Sequence, residues 1–466
     1  MTFSRTENNA LQHATSHNKC LDLFANIGAM RHWALTGNQI KIIEQFINAY
    51  KEDSKTAVKI AFWARWCRGG SGERAVFHII LEFLCSKDPR FVINNIHSIV
   101  KYGYWKDLIP YANGDYKIHC FDVYNAVINT WSNAIKKQDN LASKWAPRKG
   151  NIAKDLKDAL GLTWKEYRKT LKKNSRTVEQ IMCNDSFDKI EYSTVPSIAM
   201  IKYYKAFAKN DIDRFDTFVS DKDAKVNTSV LYPHDVFKVM GNNVELADKQ
   251  WSQLPDYIAE GENILPMSDV SGSMCMEYMK PIPMDISIAL GLYLSERNKG
   301  AFKNKIMTFS GSPEFFEVNP LWDIQTKYNH VHNANWGMNT NLEKAYRLIL
   351  DTAEAFNVPQ EHMPTMLLIL SDMQFDQCTN GIHLDNMKDL YRDKGYKFPK
   401  VVFWNLRSTD NGSPAKHDDD NVALVSGFSP ALMKSVLAAE NFNPVDVMMD
   451  TIKPIKLVFS SNDEEE

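Results

Sequence analysis

The stretch Ile264-Leu-Pro-Met-Ser-Asp-Val-Ser-Gly-Ser-Met274 constrains this chain more than any other. Its apolar run reads as a buried strand. The run ends in Asp269, Ser271 and Ser273, a D-x-S-x-S spacing that puts one carboxylate and two hydroxyls on a loop at the strand's carboxyl end. All three are hard oxygen donors, suited to Mg²⁺, Mn²⁺ or Ca²⁺ and not to Zn²⁺. Taken singly, the same residues serve as Asx and Ser turns that cap helices. Two further pieces follow in order. Gly337-Met-Asn-Thr-Asn-Leu342 places Thr340 in a loop, and Leu367-Leu-Ile-Leu-Ser-Asp372 reads as a buried strand ending in Asp372. Turn chemistry explains each piece alone but not the ordered set.

The three pieces resemble the metal-ion-dependent adhesion site of von Willebrand factor A domains. That resemblance implies direct ligation of Mg²⁺ (or Mn²⁺ or Ca²⁺) by Asp269, Ser271 and Ser273. It puts Thr340 on the ion directly or through water, and Asp372 one layer behind. The surrounding pattern agrees with such a fold. Strands are expected at 263–268, 305–309, 314–318, 365–371, 400–405 and 421–425, with helices near 283–298, 341–356, 384–394 and 429–440. The 341–356 helix carries an apolar stripe of Leu342, Ala345, Tyr346, Ile349, Leu350 and Ala353. Strands alternating with helices predict a parallel, doubly wound sheet with its site at the strands' carboxyl ends.

The first half is different. From Gly37 the apolar spacing turns helical, with Ile40, Ile43, Phe46, Ile47 and Tyr50 on one face. Further helices are expected at about 54–67, 72–86, 89–100, 119–138, 151–160 and 163–174, and beyond Pro196. Short helices joined by short polar links predict a HEAT-like helical array, although no repeat of fixed period is visible. The expected organisation is an arm over 1–35, a helical domain over 36–255, an A-like domain over 256–455 and an acidic tail over 456–466. Within it, about 221–260 reads as a polar link. The fold class is therefore α + α/β.

Charge divides along the same line. Residues 1–250 hold 37 Lys and Arg against 27 Asp and Glu, while the remainder holds 18 against 30. Residues 101–176 alone carry 16 basic against 7 acidic residues. A basic half joined to an acidic half points to a polyanionic partner, or to mutual neutralisation across an interface. Three local features sharpen the first option. Arg65-Trp-Cys-Arg-Gly-Gly-Ser-Gly-Glu-Arg74 is a glycine loop opening a helix, in which Arg68 and Arg74 could hold a phosphate; a tight inter-helix turn is the plainer reading. Lys101-Tyr-Gly-Tyr-Trp-Lys-Asp-Leu108 interleaves aromatics with Lys101 and Lys106, either as a base-stacking surface or, more simply, as a packed helix corner. The segments with Lys144, Arg148 and Lys149, and with Arg168, Lys169, Lys172, Lys173 and Arg176, lack matching acids. A solvated helix face would also look this way, but the imbalance favours a phosphate-facing surface.

Composition limits the remaining classes. No run of eighteen apolar residues predicts a membrane span, and the first residues lack the apolar core of a signal peptide. Seven scattered cysteines with no C-x-x-C pair read as reduced thiols of a cytoplasmic protein, which argues against an extracellular adhesion role. His330, His332 and His362 have no H-E-x-x-H or triad context, and the hydroxyl-rich metal loop lacks the several carboxylates of two-metal nucleases. A non-enzymatic protein is expected.

The blocks Arg68–Arg74, Tyr102–Leu108, Lys144–Arg148, Val195–Met200, Asp269–Met274 and Ser371–Phe375 carry a wider resemblance. A helical array followed by an A domain is similar to the Ro autoantigen of the TROVE family. The blocks themselves resemble an uncharacterised branch, catalogued as a domain of unknown function, that occurs in large viruses and in cellular genomes. The Ro resemblance implies a ring-shaped helical domain closed by the A domain, and binding of small structured RNA as an RNA chaperone or ribonucleoprotein component. The alternative is a scaffold, for example in a virus particle or other large assembly, whose metal site docks an acidic residue of a protein partner.

Overall fold

The computed structural model describes residues 3–5, 11–258, 260–276, 279–334, 342–373, 384–406, 413–427, 432, 436 and 442–459. The architecture is α + α/β. A short antiparallel ribbon, β1 (Phe3–Arg5) and β2 (Leu11–His13), precedes the helical segment. Among the described residues, the second half is built on six strands: β3 (Ile264–Ser268), β4 (Lys305–Thr308), β5 (Phe315–Glu317), β6 (Met366–Ser371), β7 (Lys400–Asn405) and β8 (Val422–Ser426). Their order is β5-β4-β3-β6-β7-β8, with β5 antiparallel to β4 and every other pair parallel. Every residue of β3, β6 and β8 is buried, as strands covered on both faces require. The expected pairing of 314–318 with 305–309 is present, as the antiparallel edge.

The order fixes where a site can form. From β3 the chain moves outward to β4 and β5, then returns to place β6 on the other side of β3. That reversal opens a crevice at the carboxyl ends of β3 and β6. The register runs from Ile264 opposite Met366 to Ser268 opposite Leu370, so both strands finish level. Helix Pro283–Arg297 packs on β3 at Gly291, where a Cβ would stand 2.4 Å from Ser268 Oγ. Helix Leu342–Ala355 buries the six residues of its expected stripe. The expected helix over 429–440 lies largely outside the described residues.

The helical segment runs from Lys19 to Ser252, and its packing departs from the sequence pattern in three places. Helix Gln39–Glu52 buries Ile42, Phe46 and Ala49, whereas Ile40 in its first turn is 71% exposed. The buried face is turned from the predicted stripe: it runs through Ile42, Phe46 and Ala49, and Ile43, Ile47 and Tyr50 are only half-buried. The polar link expected over 221–260 contains helices Pro233–Met240 and Val244–Ser252. They bury His234, Asp235, Lys249 and Gln250, polar residues that conceal an interior face. Within 1–35, where an arm with one short helix is expected, helices Lys19–Ala25 and Ile27–Leu35 bury Leu21, Leu23, Phe24, Ile27, Met30 and Trp33.

Both ends of the helical segment meet the sheet. At the start, Asn405 Nδ2 donates to the Ala25 carbonyl at 3.2 Å, and the Gly28 amide donates to Ser426 Oγ at 2.5 Å. A Cβ on Gly28 would lie 2.7 Å from Ser426 Oγ and 2.8 Å from the Asn405 carbonyl oxygen, so only glycine allows this approach. At the end, Trp251 Nε1 donates to Glu296 at 2.8 Å, Lys327 pairs with Glu296 at 2.9 Å, and Phe237 packs on Tyr328. The chain's last described residues return to the helices: Val458 and Asn95 exchange two hydrogen bonds, and Phe459 packs on Phe91. The sequence expects an acidic tail from 456, and its residues beyond 459 lie outside the described ones.

A buried ion pair ties the first helices to the glycine turn, and the turn itself meets the last helices. Arg31 forks onto Glu73, with Nη2–Oε1 at 2.7 Å and Nε–Oε2 at 3.2 Å. Arg31 Nη1 also reaches the Pro281 carbonyl at 3.4 Å, beyond the metal-type loop. Tyr232, just before helix Pro233–Met240, donates its hydroxyl to the Cys67 carbonyl at 2.9 Å in the same turn that ends in Glu73. Burial pushes Glu73 up and Arg31 down, and each pulls the other back toward its charged form. Removing one partner leaves the other charge buried and uncompensated. Glu73→Gln is expected to lower stability by about 3 kcal/mol in urea denaturation. The double change Arg31→Met with Glu73→Leu is expected to cost less than Glu73→Gln alone; a larger loss in the double variant would contradict this account.

Candidate functional site

Asp269 follows β3 directly and its amide donates to the Leu370 carbonyl at 2.9 Å, which extends the β3–β6 ladder by one step. Its carboxylate is 1% exposed. Oδ1 accepts the Ser271 amide at 2.9 Å and Oδ2 accepts the Ser371 hydroxyl at 3.0 Å. Asp372 follows β6 on the facing loop and is also 1% exposed. Next to it, Met373 adopts φ 65°, a left-handed conformation that a non-glycine residue holds only where its surroundings impose it. Above the buried carboxylates, the Ser271 and Ser273 hydroxyls stand 3.0 Å apart on a loop whose Gly272 and Ser273 are exposed. The structure thus brings Asp269, Ser271, Ser273 and Asp372 to the crevice. Thr340 lies outside the described residues.

Burial pushes the Asp269 carboxyl above its usual range, and the donors from Ser271, Ser371 and the Asp372 backbone pull it partly back. These donors are hydroxyls and amides. A divalent cation would act in the same direction and more strongly. Among the described residues no three His, Cys, Asp or Glu side chains converge to hold a metal. An ion here would therefore rest on hydroxyl oxygens beside Asp269, which the D-x-S-x-S spacing supplies. The donor set fits a hard, oxygen-seeking cation.

The basic candidates separate into two groups. In the first, the side chains are committed within the fold. Asp107, fully buried, is gripped by Arg65 at 2.8 Å, Arg74 at 2.8 Å and His78 at 3.3 Å. Burial alone would raise Asp107, but His78 and Arg65 more than reverse it and hold the carboxyl below its usual value. The glycine loop between Arg65 and Arg74 is a turn organised by that carboxylate, and Arg68 is exposed on it. Tyr102 and Trp105 are buried, the latter against Trp131, so the Tyr102–Leu108 block forms a packed corner. Lys106 lies over Trp145 at 4.2 Å, Lys101 over Tyr102 at 5.1 Å, and Lys144 pairs with Glu179 at 2.8 Å.

The second group faces solvent. Helix Trp164–Asn174 buries Tyr167, Leu171 and Asn174 and turns Arg168, Lys169, Lys172 and Lys173 outward, with Arg176 exposed just beyond. Tyr167 donates its hydroxyl to the Pro147 carbonyl at 2.8 Å, which holds exposed Arg148 and Lys149 beside this helix. The Asn174 side chain donates to the Ile135 carbonyl at 3.1 Å and brings in Lys136 and Lys137, both exposed. Sequence reasoning missed these two; their only signal was paired lysines at a helix end, which the helix dipole also explains. Nearby acids are used elsewhere. Glu166 closes a capping box with Thr163, whose amide and hydroxyl hold it below the usual carboxylate range. Asp139 caps helix Asn140–Trp145, and Glu179 is paired with Lys144.

Comparison with known proteins adds the following. The family model described as Domain of unknown function (DUF2828) matches residues 6–111 and 118–262, more than half of the chain. A second, described as Domain of unknown function (DUF7788), matches residues 263–463. The chain is 28% identical over 515 aligned positions to "Uncharacterized protein L728" of Acanthamoeba polyphaga mimivirus, covering 98% of this chain and 88% of that protein. Among solved structures, the Ro (RSR) protein of Deinococcus radiodurans superposes with a TM-score of 0.42 at 12% identity, covering 88% of this chain and 93% of that one. That likeness is too low to carry an argument about fold or ligand. No described helix is long and apolar enough to cross a membrane.

Proposed function

This chain belongs to the family described as Domain of unknown function (DUF2828), and from that premise we propose that it is a non-enzymatic RNA-binding protein of ribonucleoprotein or RNA-chaperone type. One observation carries the reading: the outward face of helix Trp164–Asn174, with Arg148, Lys149, Lys136 and Lys137 beside it, is basic while its acids are engaged in caps and a pair. Neutralising a phosphate backbone releases condensed counterions, so such a face binds a polyanion with strong salt dependence and without reading its sequence. RNA phosphates, spaced along a strand, suit a surface whose cations recur at successive turns of one helix. Arg74, Lys106 and Lys144 stand outside this core of the proposal because each is engaged within the fold, and Arg68 and Lys101 because they lie apart from helix Trp164–Asn174.

In the same reading the crevice between β3 and β6 is an adhesion-type metal site of an A-like domain. Asp269, Ser271 and Ser273 hold Mg²⁺ or a similar cation, with Asp372 behind them and Thr340 completing the set. A cation held by oxygens with one position open accepts a carboxylate from a protein partner. A second reading, of a scaffold that docks partners, draws on the exposure of Gly272 and Ser273 above buried Asp269.

Reversing Lys169, Lys172 and Lys173 to Glu tests the first reading. RNA retention should fall, and the slope of log affinity against log salt should shrink by roughly 2–3. An unchanged affinity and slope would remove the basic face from the function. The metal reading has its own test: Asp269→Ala should abolish the heat of Mg²⁺ or Mn²⁺ binding in calorimetric titration while leaving the thermal melt intact. Undiminished metal heat in a folded variant would rule that assignment out.

A further inference from the structure

Among the described tryptophans only Trp164 has more than a third of its surface in water, 39%. The others are buried or packed into the interior, and half-buried Trp145 is already covered by Lys106 and packed against Tyr104. A single exposed aromatic needs no special explanation. This one is different in how it is held and what surrounds it. Trp164 opens helix Trp164–Asn174, and the capping box of Thr163 and Glu166 fixes the backbone there. Tyr167 meets its ring at 6.2 Å and 79°, an edge-to-face contact, and Tyr167 is itself fully buried with its hydroxyl bonded to Pro147. Arg168, one turn on, lies 5.9 Å from the ring centroid; Lys157 from helix Asn151–Ala159 lies at 5.8 Å but is paired with Asp158. A fixed, solvent-facing indole with Arg168 beside it stands at one end of the basic face formed by Arg168, Lys169, Lys172 and Lys173.

Every base presents a π face, and stacking on an aromatic ring is worth the most when the ring is already ordered. A paired base in a helix hides that face. We propose that Trp164 is the stacking platform for an unpaired base of the bound RNA, with Arg168 on the flanking phosphate and Lys169, Lys172 and Lys173 following the strand. This assignment rests on the RNA-binding reading and deepens it. The basic face alone treats duplex and single strand alike, whereas Trp164 makes the surface prefer a strand with unpaired nucleotides.

The test uses the full chain with two probes, a short unstructured oligouridylate and a blunt RNA duplex of equal length. Trp164→Leu keeps apolar bulk without the π face, Trp164→Phe restores a smaller one, and the Lys169, Lys172 and Lys173 reversal serves as the charge control. Trp164→Leu should weaken oligouridylate binding roughly tenfold and leave duplex binding unchanged, with Trp164→Phe between it and the wild type. The charge reversal should weaken both probes. Equal loss on both probes in Trp164→Leu, or no loss on the oligouridylate, would overturn the stacking assignment while the charge control still upholds RNA binding. A wild-type chain that retains neither probe would overturn the RNA reading and this assignment together.

Discussion

The buried pair of Arg31 and Glu73 joins three parts of the chain that lie far apart in sequence. Arg31 sits on the second helix, Glu73 ends the glycine turn, and the Pro281 carbonyl belongs to the segment after the metal-type loop. Tyr232 ties the end of the helical segment to the same turn through Cys67. Each charge would be costly to bury alone, so the pair forms only when all these segments are in place. It links the first helices and the glycine turn to the segment that follows β3. The glycine approaches at Gly28 and Gly427 bring the same helix and turn to the sheet, with Gly427 close against Ser71 of that turn.

The crevice depends on the sheet's reversal and not on any one side chain. Because β3 and β6 finish level at the point where the strand order changes sides, two loops that are a hundred residues apart in sequence face each other. Their first residues, Asp269 and Asp372, are buried by the strands they extend, while the serines one turn later reach solvent. A carboxylate held below two exposed hydroxyls is the arrangement that an oxygen-ligated cation can bridge to an outside ligand.

Much of the sheet half was legible because its signals are local. The stripe on helix Leu342–Ala355 and the apolar runs of β3, β6 and β7 report burial directly. The placement of Asp269 and Asp372 just beyond the carboxyl ends of β3 and β6 was legible from the apolar runs that precede them, while Thr340 lies outside the described residues. The helical half was harder to read because several of its interior faces are polar. Helices Pro233–Met240 and Val244–Ser252 bury Asp235, His234, Lys249 and Gln250, which no hydrophobic period marks. The engagement of Arg74 was hidden for a related reason. Its partner Asp107 lies 33 residues away, and only the folded helices bring the two to 2.8 Å. Charge counting treats a cation gripped by a buried carboxylate and one in solvent as equals; Arg74 and Lys169 show how far apart they are.

What remains after that sorting is a compact basic surface, built where the ends of three helical stretches meet around Tyr167 and Asn174. Its position, and not the total charge of the half, is the central claim. Ultraviolet crosslinking of the full chain to RNA, with the crosslinked peptides mapped by mass spectrometry, tests it most directly. The account predicts crosslinks concentrated in peptides spanning 136–149 and 157–176. Crosslinks confined to the sheet half, or to the Arg68 turn with none on these peptides, would contradict it.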